Sequence, residues 1–212
     1  MAAMTLDKLL PQLTESQLTR GDLKKLAKEI KRDHGLALKL WKSTELNAVL
    51  LASLILDKKQ LTQRLIEELV AQLSQFEPDA QYLIVEWLMA NQLTKSKATR
   101  ELILTWRTHS NSLLQRLFWY YQARLRWTGQ PSPNDTGELL GYIESELADA
   151  HQDVQWTMNF CAAWIGIYDE AFRQRCIDLG IRIGLYKDEK VAKNCTPSYL
   201  PEFIRIEVAK RR

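Results

Sequence analysis

This sequence predicts an all-α fold built as a stack of helix pairs, on three observations. Apolar residues recur at helical spacing in almost every segment, no stretch alternates in the period-two manner of a half-buried strand, and the connections are short. Helices joined by short turns are antiparallel neighbours. About five successive pairs in one chain of 212 residues exceed a simple bundle, so the expected architecture is an α-solenoid, an α-α superhelix with a concave face. A single domain, 1–212, is expected.

The elements follow in order. Leu6, Leu9, Leu10 and Leu13 open a short helix. Asp22 is placed to cap the next, in which Leu23, Leu26, Ala27 and Ile30 alternate with Lys24, Lys25, Lys28 and Lys31, an amphipathic and basic pattern. His34-Gly35 breaks it, Leu36 to Trp41 forms a short partner, and the capping pair Ser43-Thr44 opens the apolar helix Glu45 to Leu56. Thr62 to Leu73 carries one uninterrupted stripe: Leu65, Ile66, Leu69, Val70 and Leu73. Pro78 suits the first turn of a helix running to about Asn91, and Lys95 to Trp106 follows.

The stretch Ser110 to Trp127 then combines three faces. Leu114, Leu117, Phe118, Tyr121 and Leu125 make a core stripe. Arg116, Tyr120, Arg124 and Trp127 make a second face, and Trp119 with Arg126 a third, so this helix is expected to stay partly exposed. Arginine between aromatics pairs with phosphate and stacks on bases, which marks the helix as the centre of a binding surface. Thr128 to Asp135, TGQPSPND, is the clearest loop and is expected to be flexible. Thr136 to Ala148 and Asp153 to Ile167 are two further helices, the second bearing Trp156, Met158, Phe160, Cys161 and Trp164. Asp169 is placed to cap the last, which ends near Gly180 or Gly184.

Composition bounds the function. Apolar residues make up 46% and charged residues 26%, the balance of a soluble folded protein. The longest apolar run, Leu46 to Leu56, is too short for a bilayer, and Met1 to Leu10 lacks the pattern of a signal peptide; no membrane is expected, and a cytoplasmic location is. Three cysteines, Cys161, Cys176 and Cys195, lack CxxC spacing. His34, His109 and His151 lie far apart without ligand spacing, so neither a metal site nor a cofactor is expected. The net charge of +3 hides a segregation: from Thr128 to Glu170 there is no Lys or Arg against eight carboxylates, leaving +11 on the remainder. Net positive surface favours a polyanionic partner through counterion release.

At the C-terminus the run Gly184 to Arg212, GLYKDEKVAKNCTPSYLPEFIRIEVAKRR, resembles the closing segment of the DNA alkylation repair family, the HEAT-like helical-repeat glycosylases. LKKLAKEIKRDHGLALKLW from Leu23 to Trp41 and the following ELNAVLLASLILD are similar to that family's second and third helix pairs. The resemblance implies a HEAT-like solenoid, a double-stranded DNA partner and, in active members, hydrolysis of the bond joining an N3- or N7-alkylated purine to deoxyribose. It places the family's aromatic residue on Phe76, its phosphate-contacting arginine on Arg116 and a second aromatic on Phe160. The family's catalytic Asp falls on Ala80. Asp79, next to it, is the candidate carboxylate, although one residue on a helix is a turn of about 100°. The expected DNA-binding set is therefore Arg116, Arg124, Trp119, Tyr120, Phe76, Phe160, Lys187, Lys190 and Lys193, with Asp79 as the catalytic candidate. The expected function is DNA binding with weak or absent excision, the alternative being a non-catalytic protein-interaction scaffold.

Overall fold

The computed structural model describes residues 6–14, 18–193 and 195–211. Helices α1 (Leu6–Leu13), α2 (Arg20–Ile30), α3 (His34–Trp41), α4 (Leu46–Ile55), α5 (Gln63–Ala71), α6 (Pro78–Asn91) and α7 (Lys97–Leu104) are followed by α8 (Ser112–Trp127), α9 (Thr136–Glu146), α10 (Gln152–Tyr168), α11 (Glu170–Ile183) and α12 (Leu200–Ala209). Short 3₁₀ turns close α5, α6 and α7. Among the described residues there is no strand, and no helix is long and apolar enough to cross a membrane. The fold is all-α and HEAT-like, as the sequence predicts. The chain forms two compact units, 1–106 and 107–212.

In the first unit α4 is the central element. Its residues Ala48 to Ser53 and Ile55 are all buried, because α2, α3 and α6 pack around it and leave only Leu46, Asn47 and Leu54 half-buried. Tryptophans and amides tie the neighbours to backbone carbonyls. Trp41 Nε1 donates to Leu69 O at 2.9 Å, Trp87 Nε1 to Leu50 O at 3.1 Å and Gln92 Nε2 to Leu54 O at 3.1 Å. Each bond satisfies a donor that burial would otherwise penalise.

Caps set the helix starts. Thr19, not Asp22, is the N-cap of α2; Asp22 is the third helical residue and completes a capping box with it. The helix therefore begins earlier than the sequence reading placed it. Asp33 caps α3 at His34, so His34-Gly35 lies inside the first turn rather than between helices. Thr62 and Asp135 cap α5 and α9. The side chain of Asp169 makes no cap bond to α11, although it stands at the N-cap position.

In the second unit α10 is central, packed by α8, α11 and α12 with α9 beside it. α11 ends at Gly184 in the left-handed region, φ 72°, as a glycine C-cap requires. α12 was not read from the sequence as a helix. It docks where α10 and α11 present glycines: a Cβ at Gly180 would lie 2.6 Å from Pro201 Cδ, and one at Gly166 2.7 Å from Ile204 Cδ1.

Candidate nucleic-acid interface

α8 is more buried than its pattern predicts. Eleven of its sixteen residues are buried, among them Arg116, Trp119 and Arg126. The expectation that Trp119 and Arg126 form an outward face is corrected. Trp119 is 1% exposed and packs edge-on against Phe118, with ring centroids 5.0 Å apart. Arg126 turns inward to Gln122 O at 2.9 Å and Thr136 Oγ1 at 3.3 Å. Buried Gln122 donates to Asn134 at 2.7 Å and accepts from Ser132 at 3.0 Å. The polar side chains of α8 thus hold the loop 128–135 at two points, a use of glutamine and arginine that periodicity does not distinguish from a solvated face.

Arg116 is 5% exposed. Its Nη1 donates to the backbone carbonyl of Asp153 at 2.8 Å, and its guanidinium lies 5.5 Å from the Trp156 ring. Tyr120, Arg124 and Trp127 remain half-buried, and Arg124 lies 5.8 Å from the Trp127 ring. These three are the outward part of the helix.

Opposite them, α10 carries Trp156, Phe160, Trp164 and Tyr168 at successive four-residue steps, which places neighbouring rings on one helical face. Trp156 stacks on Phe160 at 4.7 Å, and Tyr120 stacks on the same ring at 5.9 Å. Trp127 sits 5.6 Å from Phe160 and 5.4 Å from Trp164. Phe203 of α12 closes edge-on against Phe160 at 5.9 Å. The array continues to Tyr168, stacked on Trp164 at 5.6 Å and 48% exposed. Arg211 lies 5.1 Å from Trp164 and 5.5 Å from Tyr168. A ladder of rings with guanidinium groups along it results, a geometry in which the ring surfaces left open attract cations and flat bases. Within it, the indole N–H of Trp164 is buried and has no acceptor among the described residues.

Arg211 is held by Glu207, at 2.7 Å to Oε2. Burial works to raise the Glu207 carboxyl, but bonds from Lys210, Arg211 and Thr196 outweigh it and hold the group below its ordinary value. Lys187, Lys190 and Lys193 are exposed on the segment between α11 and α12. That segment is tied to α10 through Ser198, whose carbonyl accepts from Asn159 Nδ2 at 2.8 Å and whose N–H donates to Glu189 at 2.7 Å. Tyr186 on it adopts φ 63°, a left-handed conformation uncommon for a bulky residue. Its hydroxyl is pushed up chiefly by burial, with Arg116 acting the other way.

Phe76, Asp79 and Ala80 belong to the first unit. Phe76 is half-buried, and its carbonyl accepts from Gln81 Nε2 at 2.7 Å. α6 begins at Pro78 with Glu77 as N-cap, so Asp79 stands exposed in a regular first turn. The N–H groups of Ala80 and Gln81 donate to Glu77 O at 3.0 Å each, so no shift of the helix start moves Asp79 into the place of Ala80. The place Asp79 holds favours the helix dipole.

The second unit brings Arg116, Tyr120, Arg124 and Phe160 into one cluster, and buries Trp119 on another face of α8 beside Phe118. Sequence reasoning missed Tyr168, Phe203 and Arg211. The four-residue recurrence of rings in α10 was the available signal for Tyr168. No three His, Cys, Asp or Glu side chains gather as metal ligands among the described residues.

A family model described as DNA alkylation repair enzyme matches residues 16–189. No curated protein matches the chain. Among solved structures, it is similar to a protein described as one of a new family related to the HEAT-like repeat DNA glycosylases with affinity for branched DNA structures. The two share 17% identity and a TM-score of 0.69 over 97% of this chain and 88% of the other. At that identity the likeness carries the fold.

Proposed function

The chain belongs to the DNA alkylation repair enzyme family, and from that premise we propose that it binds DNA through the ring-and-guanidinium face of its second unit without efficient base excision. The observation that carries this reading is the aromatic ladder of α8, α10 and α12, lined by Arg116, Arg124 and Arg211. Arg124 and Arg211 reach solvent and supply phosphate contacts; Lys187, Lys190 and Lys193 extend the positive surface. Arg116 orients Trp156 from below. Duplex DNA is the expected partner, and the affinity of the structural neighbour for branched DNA makes a junction the second substrate to test.

Phosphate contacts carry no sequence code, so affinity falls with salt and is similar across duplex sequences. Fluorescence anisotropy with a linear duplex and a four-way junction tests the reading. Arg124→Ala combined with Arg211→Ala lowers affinity for every sequence and reduces the salt slope by about 2. Unchanged affinity and slope would remove this face from the interface.

The scaffold alternative has one observation in its favour. Ile181 on α11 is 62% exposed, one turn from Ile177 in a cleft of about 290 Å³ that Ile204 and Val208 also line. Loss of DNA binding in the arginine variant with Ile181 untouched favours the first reading.

A further inference from the structure

We propose that α2 forms a second, separate phosphate-backbone site, so that one molecule holds two duplex segments at once. The inference rests on the DNA-binding reading above and concerns a different unit of the chain. Arg20, Lys24, Lys28 and Lys31 follow one another at steps of four, four and three residues. On α2 the first three keep within an arc of about 80°, and Lys31, the C-cap, follows just beyond the helix end, so the four span about 16 Å of chain. All four are exposed. The apolar residues of α2, buried Leu23 and half-buried Leu26, Ala27 and Ile30, centre about 110° round the helix from the stripe, so the stripe lies on the flank of α2 and not on its packed face.

Three features separate this stripe from an ordinary solvated face. First, acids are kept off it. Asp22 and Glu29 lie well outside the arc, and Asp22 pairs with Lys25, which is not part of it. Arg32 is drawn to Asp57 at 3.7 Å, whereas Lys24, Lys28 and Lys31 pair with no carboxylate of the described residues. Second, an aromatic ring supports one end: Arg20 and Lys24 lie 6.0 and 5.1 Å from the Trp87 ring. That ring is fixed from behind by its bond to Leu50 O. Third, Lys31 adopts φ 65° and ψ −150°, a region that is essentially glycine's own. Its N–H still closes α2 on Ala27 O at 2.8 Å, and the chain two residues on is pinned by Asp33 N–H to Ile55 O at 3.0 Å. A lysine stands where glycine would relieve the backbone, and it extends the stripe by one cation.

Four cations spaced over about 16 Å face roughly nine phosphate charges, at about one per 1.7 Å of duplex axis, so one backbone segment can occupy the whole stripe. They read no base, so the site takes any duplex.

The test uses the full chain, a biotinylated duplex on beads and a fluorescent duplex of unrelated sequence in solution. Wild type retains the fluorescent duplex on the beads at low salt. Lys24→Glu/Lys28→Glu/Lys31→Glu retains at least tenfold less, while its anisotropy titration with one duplex shifts no more than about twofold. Lys31→Gly, which loses one cation and gains backbone freedom, also retains less without any fall in melting temperature, so unfolding does not mimic the result. If wild type binds a duplex but never bridges two, or if the triple variant bridges as well as wild type, the second site is wrong. If the triple variant loses single-duplex affinity in step with bridging, α2 belongs to one continuous site and the proposal fails. No binding by wild type at all sinks the functional reading itself, a distinct outcome.

Discussion

Arg116 and Arg124 stand two turns apart on one helix and have different roles. Arg116 is buried against Trp156 and donates to the Asp153 carbonyl. Arg116→Ala removes a charge-assisted bond and the guanidinium packed by Trp156, and costs about 2 kcal/mol of stability, read from urea midpoints. Arg124→Ala changes stability by less than about 0.5 kcal/mol and shows itself in the salt slope of DNA binding. The tryptophans divide in the same way. Trp41 satisfies its N–H on a buried carbonyl and Trp164 does not, so Trp41→Phe is more destabilising than Trp164→Phe, which removes an unsatisfied donor. Cysteines give a third contrast. Burial pushes the Cys161 thiol up to about 11 and the Cys176 thiol up to about 12, while Cys195 is exposed. Native protein at mildly alkaline pH therefore labels one thiol quickly with a maleimide and all three only after denaturation. Little of this division was legible in the sequence. Arg116, Trp119 and Arg126 sit on helical faces that look as solvated as those of Arg124 and Tyr120, because a helical period shows which residues share a face and not how many sides of the helix are covered.

Single helices were more legible than their ends and junctions. The apolar run of α4, the stripe of α5 and Pro78 at the start of α6 all read directly, since periodicity and caps are local. α12 did not: ten residues beginning Leu200-Pro201 form a helix whose stability comes from docking, and the glycines that receive it lie far back in the chain. Gly180→Ala drives a Cβ to 2.6 Å from Pro201 Cδ and 2.8 Å from Leu200 Cβ, both ring or chain-root atoms. It costs about 1 to 3 kcal/mol. Gly166→Ala meets the flexible end of Ile204 at 2.7 Å and Cys176 Cβ at 3.1 Å, and is milder. At the start of α2 the capping box sets a pH dependence. The bond from Thr19, then the one from Lys25, hold the Asp22 carboxyl at about 2, below the ordinary value of about 3.9. The folded value is the lower one, so this contribution is complete above about pH 4 and is lost as pH falls toward about 2. Asp22→Asn flattens that acid limb, measured as denaturation midpoints across the interval.

At the scale of the whole molecule, part of the charge that is segregated in sequence is paired in space. Some carboxylates between Thr128 and Glu170 meet arginines from outside that block: Glu144 pairs with Arg175 at 2.6 Å and Glu146 with Arg107 at 3.0 Å. Those pairs use up basic side chains that a count would assign to DNA, which is why formal charge marked a polyanion partner without locating its surface. The proposed function puts the family's catalytic position on Ala80. Ala80 supplies no carboxylate, and missing transition-state charge stabilisation costs on the order of a hundredfold or more in rate. Release of N3-methyladenine and N7-methylguanine from alkylated duplex is thus expected to be at or near background, and Asp79→Asn leaves it there. Robust release that Asp79→Asn abolishes would make Asp79 the catalytic group. The aromatic ladder of the second unit has an optical consequence. Stacked indole, phenyl and phenol chromophores held at fixed angles, 16° between Trp156 and Phe160 and 23° between Trp164 and Tyr168, couple their near-ultraviolet transitions. The native protein carries its own spectroscopic gauge, and DNA laid along the ladder is expected to quench its tryptophan emission without any attached dye.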